Sequence, residues 1–426
     1  MDALLAACPK GRAANCGWCH SRLGPSGTPL KNLYGTRMSQ TLNHEIPVKP
    51  PAANWSAIGK KLGPFIGLVL VFALFSFLRP HTFPTLDNIS LMIRLTAVVG
   101  TGALGMTLII ISGGIDLSVG AVVGLSTVVI AMLINAGVPQ WISVAGGILT
   151  GMAAGFVTGN LVIGQLGRVY TVAIALVVFA VLASMDVSPW ISWSAGIVLL
   201  GGGLAINELF LKHRDFNRQL ALIPFIATLG MMTILRGIAH WLGNNGTIDV
   251  PGRLWSKTVL LPLRANDSWQ IFPAGVWILI LLTIAIGLML RYTRFGRHMY
   301  AVGSNEQTAR LCGVNVERTK LLVYVLGVGC SGIAGLLEFS YLRGSGDSTA
   351  GDGMELKMIA AVVIGGASLN GGEGGVMGSI IGALLMTAVN SGCTNMGWDN
   401  RVQEIVTGAI ILIASQADRL RHRKSE

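Results

Sequence analysis

From Lys60 onward the sequence is a succession of apolar runs whose lengths cluster near the roughly 20 residues that a helix needs to cross a bilayer. They lie at about 62–78, 91–112, 117–136, 141–163, 169–185, 189–211, 221–242, 273–290, 320–342, 355–367, 374–391 and 402–417. With 52% hydrophobic and 12% charged residues, the chain has too little charge to clothe an ordinary soluble domain. The pattern predicts an all-α, polytopic integral membrane protein with about 12 segments. The tenth run is short and glycine-ended, as a re-entrant segment would be.

One run is interrupted where a membrane helix least tolerates it. Within Leu104–Gly124, a glycine pair (Gly113, Gly114), a carboxylate (Asp116) and a hydroxyl (Ser118) stand in the middle of an otherwise apolar stretch. In hydrocarbon an unsatisfied backbone group costs several kcal/mol, so such a break must face protein or a water-filled cavity. Asp116 is placed to hold backbone N–H groups freed at a helix start, where the local dipole favours a carboxylate. A similar string, G-G-x-x-L-x-x-G, recurs at 365–372 with Gly365, Gly366 and Ser368. Corresponding broken segments in two halves of a chain mark the pathway of repeat-built transporters.

The formal charge of +11 is distributed as topology and not as a nucleic-acid surface. Basic residues collect before the first run (Lys49, Lys60, Lys61), after the sixth (Lys212, Arg214, Arg218), after the eighth (Arg291, Arg294, Arg297, Arg310, Arg318, Lys320) and at the end (Arg419, Arg421, Arg423, Lys424). An even number of spans with both termini cytoplasmic puts all four sets on one face. Arg253, Lys257 and Arg264 in the loop 243–272 run against the rule, and Trp255 and Trp269 there suit interfacial anchors. Residues 1–60 read as a polar tail, and Met38 offers an alternative start that would leave 1–37 outside the working protein. Cys16, Cys19 and His20 have the C-x-x-C-H spacing of covalent haem attachment, but they precede a span on the inferred cytoplasmic side, where haem is not attached. No other cysteine spacing suggests a metal or disulfide framework. Phosphate-loop and H-E-x-x-H motifs are absent, and no nucleophile has a base nearby, so the chain is not expected to be an enzyme.

The polar loop 291–319 holds a short element. Ser304 and Gln307 have capping-box spacing, Thr308–Leu311 suits helix, and Gly313 stands where a helix would stop. Ionisable residues inside or near the apolar runs are Arg94, Asp116, Arg236, Glu338, Glu355 and Lys357. Intramembrane charge is expensive and implies a partner. Glu355 and Lys357 are too close in sequence to face each other and should serve different neighbours.

Three strings resemble the permease subunits of bacterial ABC importers for simple sugars, of the ribose, xylose, allose and galactose type. They are G-M-T-x-x-I-x-x-G-G-I-D-L-S-V-G at 105–120, Ala301–Val314 against A-I-G-G-N-x-x-A-A-R-L-S-G-I, and the E-L-x-x-I-A-A-V-V-I-G-G-x-S-L-x-G-G-x-G string at 355–374. Pro224–Gly230 adds a shorter match. The resemblance implies about 10 family segments, a second permease chain as homo- or heterodimer partner, a periplasmic sugar-binding protein, and residence in the bacterial inner membrane. It also implies that a separate ATPase, holding the ATP and Mg that this chain lacks, docks on the loop through Gly303, Ser304, Asn305, Glu306, Arg310 and Gly313. Glu306 and Arg310 would be its exposed charges. Gly113, Gly114, Asp116, Ser118, Gly365, Gly366 and Ser368 would form helix breaks beside the pathway. Residues 165–220 fall outside the family pattern and read as an inserted apolar hairpin, and 419–426 as a basic cytoplasmic tail. No substrate-contacting or metal-binding residue is assigned. The rival readings are a permease for branched-chain amino acids or nucleosides, and an ion-coupled secondary sugar transporter.

Overall fold

The computed structural model describes residues 55–164, 224–252, 254–260 and 272–423. The C-x-x-C-H motif, the runs at 169–185 and 189–211, Trp269, Arg253 and Arg264 lie outside the described residues. Contacts join Ser56–Glu426 into one unit.

The described chain is helical apart from one antiparallel pair of three-residue strands, β1 (Thr247–Asp249) and β2 (Ser345–Asp347). The helices are α1 (Trp55–Leu78), α2 (Leu86–Ile111), α3 (Val119–Asn135), α4 (Gln140–Ile163), α5 (Pro224–Leu242), α6 (Trp255–Thr258), α7 (Ala274–Tyr292), α8 (Arg294–Ser304), α9 (Glu306–Leu311), α10 (Val316–Tyr341), α11 (Met354–Ile364), α12 (Val376–Asn395) and α13 (Asn400–Arg423). Six of them, α2, α4, α5, α7, α10 and α12, are long and apolar enough to cross a membrane. The other described runs fall short for separate reasons. The apolar part of α1 is Gly63–Leu78, α3 has 17 residues, α11 has 11, and α13 is too polar along its length.

Burial sorts the helices into a centre and a rim. The most apolar windows of α2 and α10 are 83% and 72% buried, whereas those of α5 and α7 are 28% buried, so the latter two present most of their surface outward. The centre is built on backbone approach. Gly147, Gly151, Gly155 and Gly159 recur at every fourth position of α4 and share one face. Gly151 and Gly155 lie against the α10 backbone at Val328–Gly332 and Tyr324–Val325. Gly105 of α2 meets the carbonyl of Gly327, also on α10. Without a hydrophobic drive between helices in lipid, such contact gives α10 its close neighbours on two sides.

The β1–β2 pair marks one face of the bundle and the short helices α8 and α9 the other. From β2 the chain runs alongside α3: Gly346 touches Thr127 and Val128, the carbonyl of Ser348 lies at Gly124, and Gly351 meets Gly120. It then becomes α11, whose 11 residues rise about 16 Å toward the short-helix face. Both α3 and α11 therefore start deep within the bundle, back to back, which accounts for their length. Lys257, which runs against the charge rule, is not a free cation, because its ammonium donates to the Val250 carbonyl.

The packing makes a direct prediction. A side chain at Gly155 must displace the Tyr324 backbone, whereas Gly230 on α5 has open space around it. Gly155→Val should lower stability in detergent by about 2 kcal/mol or more and Gly230→Val should leave it nearly unchanged, measured as thermal unfolding of the purified chain.

Candidate functional site

The end of α2 explains itself through its carbonyls. A helix C-terminus leaves four acceptors without helical partners, and inside a bilayer water does not satisfy them. Leu108 accepts from the Ser112 N–H, Ile109 from the Gly114 N–H and the Ser112 hydroxyl, and Ile110 from the Gly113 N–H. This is a Schellman closure with Gly113 at φ +83°, a conformation that glycine adopts without strain. The fourth acceptor, Ile111, is met from far along the chain by the Gly372 N–H at 2.9 Å.

That bond places three segments backbone to backbone. Gly303, on the last turn of α8, lies alongside this bond, against both the Ile111 carbonyl and the Gly372 nitrogen, with no room for a β-carbon. Any β-carbon on Gly371 would stand 2.8 Å from both the Gly113 Cα and the Gly303 carbonyl. Tyr300 closes the rim, its hydroxyl donating to the Gly374 carbonyl at 2.9 Å. The sequence singled out Gly113 and Gly303, and the fold brings them together. Gly371 and Gly372, which complete the junction, belong to the echoed string but were not selected.

The two G-G-x-x-L-x-x-G strings end helices in the same way, one residue out of register. At α11 the cap is Gly365, the left-handed residue is Gly366 (φ +93°), and its N–H and that of Ala367 donate to Val363 and Val362. Gly365 itself packs on the backbone of Gly378, away from the junction. Beyond the caps the strings diverge. Asp116 Oδ1 accepts from the Ser118 N–H and hydroxyl at 2.7 and 2.6 Å, and α3 begins directly after. Ser368 Oγ accepts from the Asn370 N–H at 3.3 Å, and a loop follows to Val376. Asp116 is wholly buried; its Oδ2 and the buried Tyr324 hydroxyl have no hydrogen-bond partner among the described residues. Gly114 leaves space for that ring, since a β-carbon there would meet the Tyr324 hydroxyl at 2.6 Å.

The short helices differ from expectation in two ways. Asn305, and not Ser304, caps α9: Ser304 still belongs to α8, and Asn305 Oδ1 accepts from the Thr308 N–H at 2.9 Å. Glu306 and Arg310 are partly exposed, at 39% and 35%, but they are not free charges. Glu306 bridges Arg310 at 2.8 Å and Lys320 at 2.6 Å, tying α9 to the first turns of α10, and Val302, Ala309 and Val316 pack beneath. Burial raises the Glu306 carboxyl, but hydrogen bonds and charge from Lys320 and Arg310 outweigh it and hold the group below its usual range. The outward surface of α9 is instead Gln307, Thr308 and above all Leu311, 89% exposed, with Cys312 beside it. Gly313 ends the element at φ +83°, as its position predicts.

The membrane ionisable residues pair across helices. Arg236 reaches Glu355 Oε1 at 3.0 Å, and its Nε stands 3.1 Å from Asp352 Oδ1, an ion-pair contact that misses hydrogen-bond geometry. Lys357 lies within the electrostatic reach of Glu338 and Glu404, and of the neighbouring Glu355 as well, so Glu355 is shared between Arg236 and Lys357 and the two neighbours are not separated as the spacing suggests. Arg94 donates to the Ser90 carbonyl of its own helix at 3.4 Å. Among the described residues no group of His, Cys, Asp and Glu is placed to hold a metal.

Two outcomes follow. Asp116→Asn keeps an acceptor for both Ser118 donors and should fold, whereas Asp116→Leu removes it and should cost about 3 kcal/mol, read as loss of folded protein in membranes. Because the Glu306 carboxyl is depressed, its clamp is present above the ordinary carboxylate range and is lost as pH falls through the lower, folded value. Protection of the α9 amides from hydrogen exchange, corrected for the intrinsic rate, should therefore be constant from pH 8 to 5 in the native chain and should fall in Glu306→Gln.

The chain matches the family described as branched-chain amino acid transport system / permease component over residues 88–197 and 163–415. It is 33% identical over 353 residues to the ribose import permease of Escherichia coli K12, covering 83% of this chain and 92% of that protein. To the ribose import permease of Bacillus subtilis 168 it is 31% identical over 374 residues, covering 86% and 95%. To the xylose transport system permease of Haemophilus influenzae Rd it is 32% identical over 381 residues, covering 84% and 96%. No solved structure matches the chain. The family match and similarity over more than four fifths of the chain agree, and the chain belongs to this family of multi-pass ABC-transporter permeases.

Proposed function

We propose that the chain is the membrane-spanning subunit of an ATP-binding-cassette importer that passes a monosaccharide delivered by a periplasmic binding protein. The observation that carries this reading is the junction, where the end of α8, continuous with the outward-facing α9, is held directly against the Ile111 and Gly372 backbones. A partner that moves α9 moves both helix breaks. The chain is the permease component and not the enzyme; ATP and Mg belong to the partner ATPase. The names of the relatives favour a sugar such as ribose or xylose over a branched-chain amino acid.

In this reading the short-helix face is cytoplasmic, as are both termini, and the strand pair is periplasmic. Residues 1–60 form a tail, 61–418 the permease domain, 291–319 the coupling loop and 419–426 a basic tail. The family's 10 or so segments are supplemented by a hairpin at about 165–220, making about 12, and two permease chains enclose the pathway. The docking surface is Ser304, Asn305, Gln307, Thr308 and Leu311, braced at its edge by the partly exposed Glu306–Arg310 pair.

Two variants test the reading. Leu311→Glu, at an exposed position, should reduce ATPase co-purification by about 10-fold or more while the permease still inserts. Gly303→Ala should keep the ATPase bound but separate hydrolysis from uptake in proteoliposomes. Co-purification unaffected by Leu311→Glu, or uptake of leucine in place of ribose and xylose, would contradict the proposal.

A further inference from the structure

The ionisable residues that the junction does not use meet in one place. Arg236 is twelve residues into α5, about 18 Å of rise from its start and about 9 Å from its end, so its side chain leaves the helix well inside the membrane. It meets Glu355 in the first turn of α11 and Asp352 just before it, where α3 and α11 both begin. The same face of α5 carries Thr228, whose hydroxyl reaches the Ile115 carbonyl, and His240, whose Nδ1 is 3.0 Å from the Ser348 hydroxyl. A polar stripe thus descends from the strand pair to the middle of the bundle.

One feature separates this cluster from a buried structural ion pair. The Asp352 side chain is 54% exposed, and a carboxylate open at that depth faces water or protein and not lipid. The Glu355 side chain is only 9% exposed and its Oε2 is buried against Gly120 of α3, so Glu355 holds Arg236 in place and does not face the open side. The Arg236 guanidinium and the Asp352 carboxylate therefore stand beside the exposed side chain of Leu356, which offers an apolar surface. One cation against two carboxylates disfavours an anion.

We propose that Arg236, Asp352 and Glu355 form a polar waist of the pathway, which hydrogen-bonds a neutral, polyhydroxylated solute of pentose size at mid-membrane. The site rests on the permease reading and adds a place of contact to it. Arg236 donates to solute hydroxyls, Asp352 accepts from them, Glu355 holds the guanidinium in place, and Leu356 meets the C–H face. Discrimination is by charge and hydrogen-bonding capacity.

The test uses the importer assembled with its ATPase and binding protein in proteoliposomes. Asp352→Asn, at an exposed position, should leave the complex assembled and lower ribose or xylose uptake per ATP hydrolysed by about 10-fold, the loss of a hydrogen bond to a charged group. Arg236→Lys keeps the charge but loses the planar fork and should lower the same ratio. Asp352→Cys should react with a charged, membrane-impermeant thiol reagent beyond the labelling of the parent, and millimolar ribose or xylose should slow that reaction severalfold. Uptake per ATP unchanged in Asp352→Asn and Arg236→Lys, or Asp352→Cys inert to the reagent or indifferent to both sugars, overturns the waist. A parent complex whose ATPase responds to no sugar-loaded binding protein would instead overturn the function on which it rests.

Discussion

The carbonyl of Ile111 is the acceptor on which the arrangement depends. It ends the most deeply buried helix of the bundle, where an unmet backbone group would cost several kcal/mol, and its partner is the N–H of Gly372, some 260 residues later. The bond brings the loop after α11 to the end of α2, and Gly303 lies alongside it, against both. A β-carbon at Gly303 would have to displace backbone, which no rotamer change can relieve. The two helix breaks and the end of α8 consequently form one mechanical unit.

Around that unit the physical demands are divided. Glycine ridges hold α4 and α2 on α10, so the centre is rigid through close backbone approach. The ion pairs of Glu306 hold α9 on α10, so the outward Leu311 is presented by a braced element and not by a loose loop. The half-length helix α11 starts beside Arg236, and its charges lie at the opposite end from the junction. A displacement of α8 therefore acts on one end of α11 while its other end borders the polar stripe.

Much of this was legible in the sequence. Apolar run lengths placed the described spans to within a few residues, the short tenth run was recognisable as less than a full crossing, and the glycine pairs marked both breaks. What the sequence withheld was partnership. Nothing in Glu306 itself distinguishes an exposed docking charge from one already bonded to Arg310 and Lys320, because the second cation is fourteen residues away on another helix. The cap shifted from Ser304 to Asn305 because α8 extends through Ser304, leaving the next residue extended and free to cap. The echo of 113–120 at 365–372 captured a shared mode of ending a helix, but the left-handed glycine differs by one position. The contact that matters is made by Gly371 and Gly372 at the end of the string.

The central claim is that α9 and the helix breaks move together because Gly303 couples them. It is tested most directly by paired spin-label distances in the assembled importer. One pair joins the exposed Cys312 to the exposed Leu86, and the other joins Leu356 to the same reference. The account predicts that nucleotide shifts both distances in the native junction, and that in Gly303→Ala only the Cys312 distance still responds. If the Leu356 distance still follows nucleotide fully in Gly303→Ala, the junction is not what couples them.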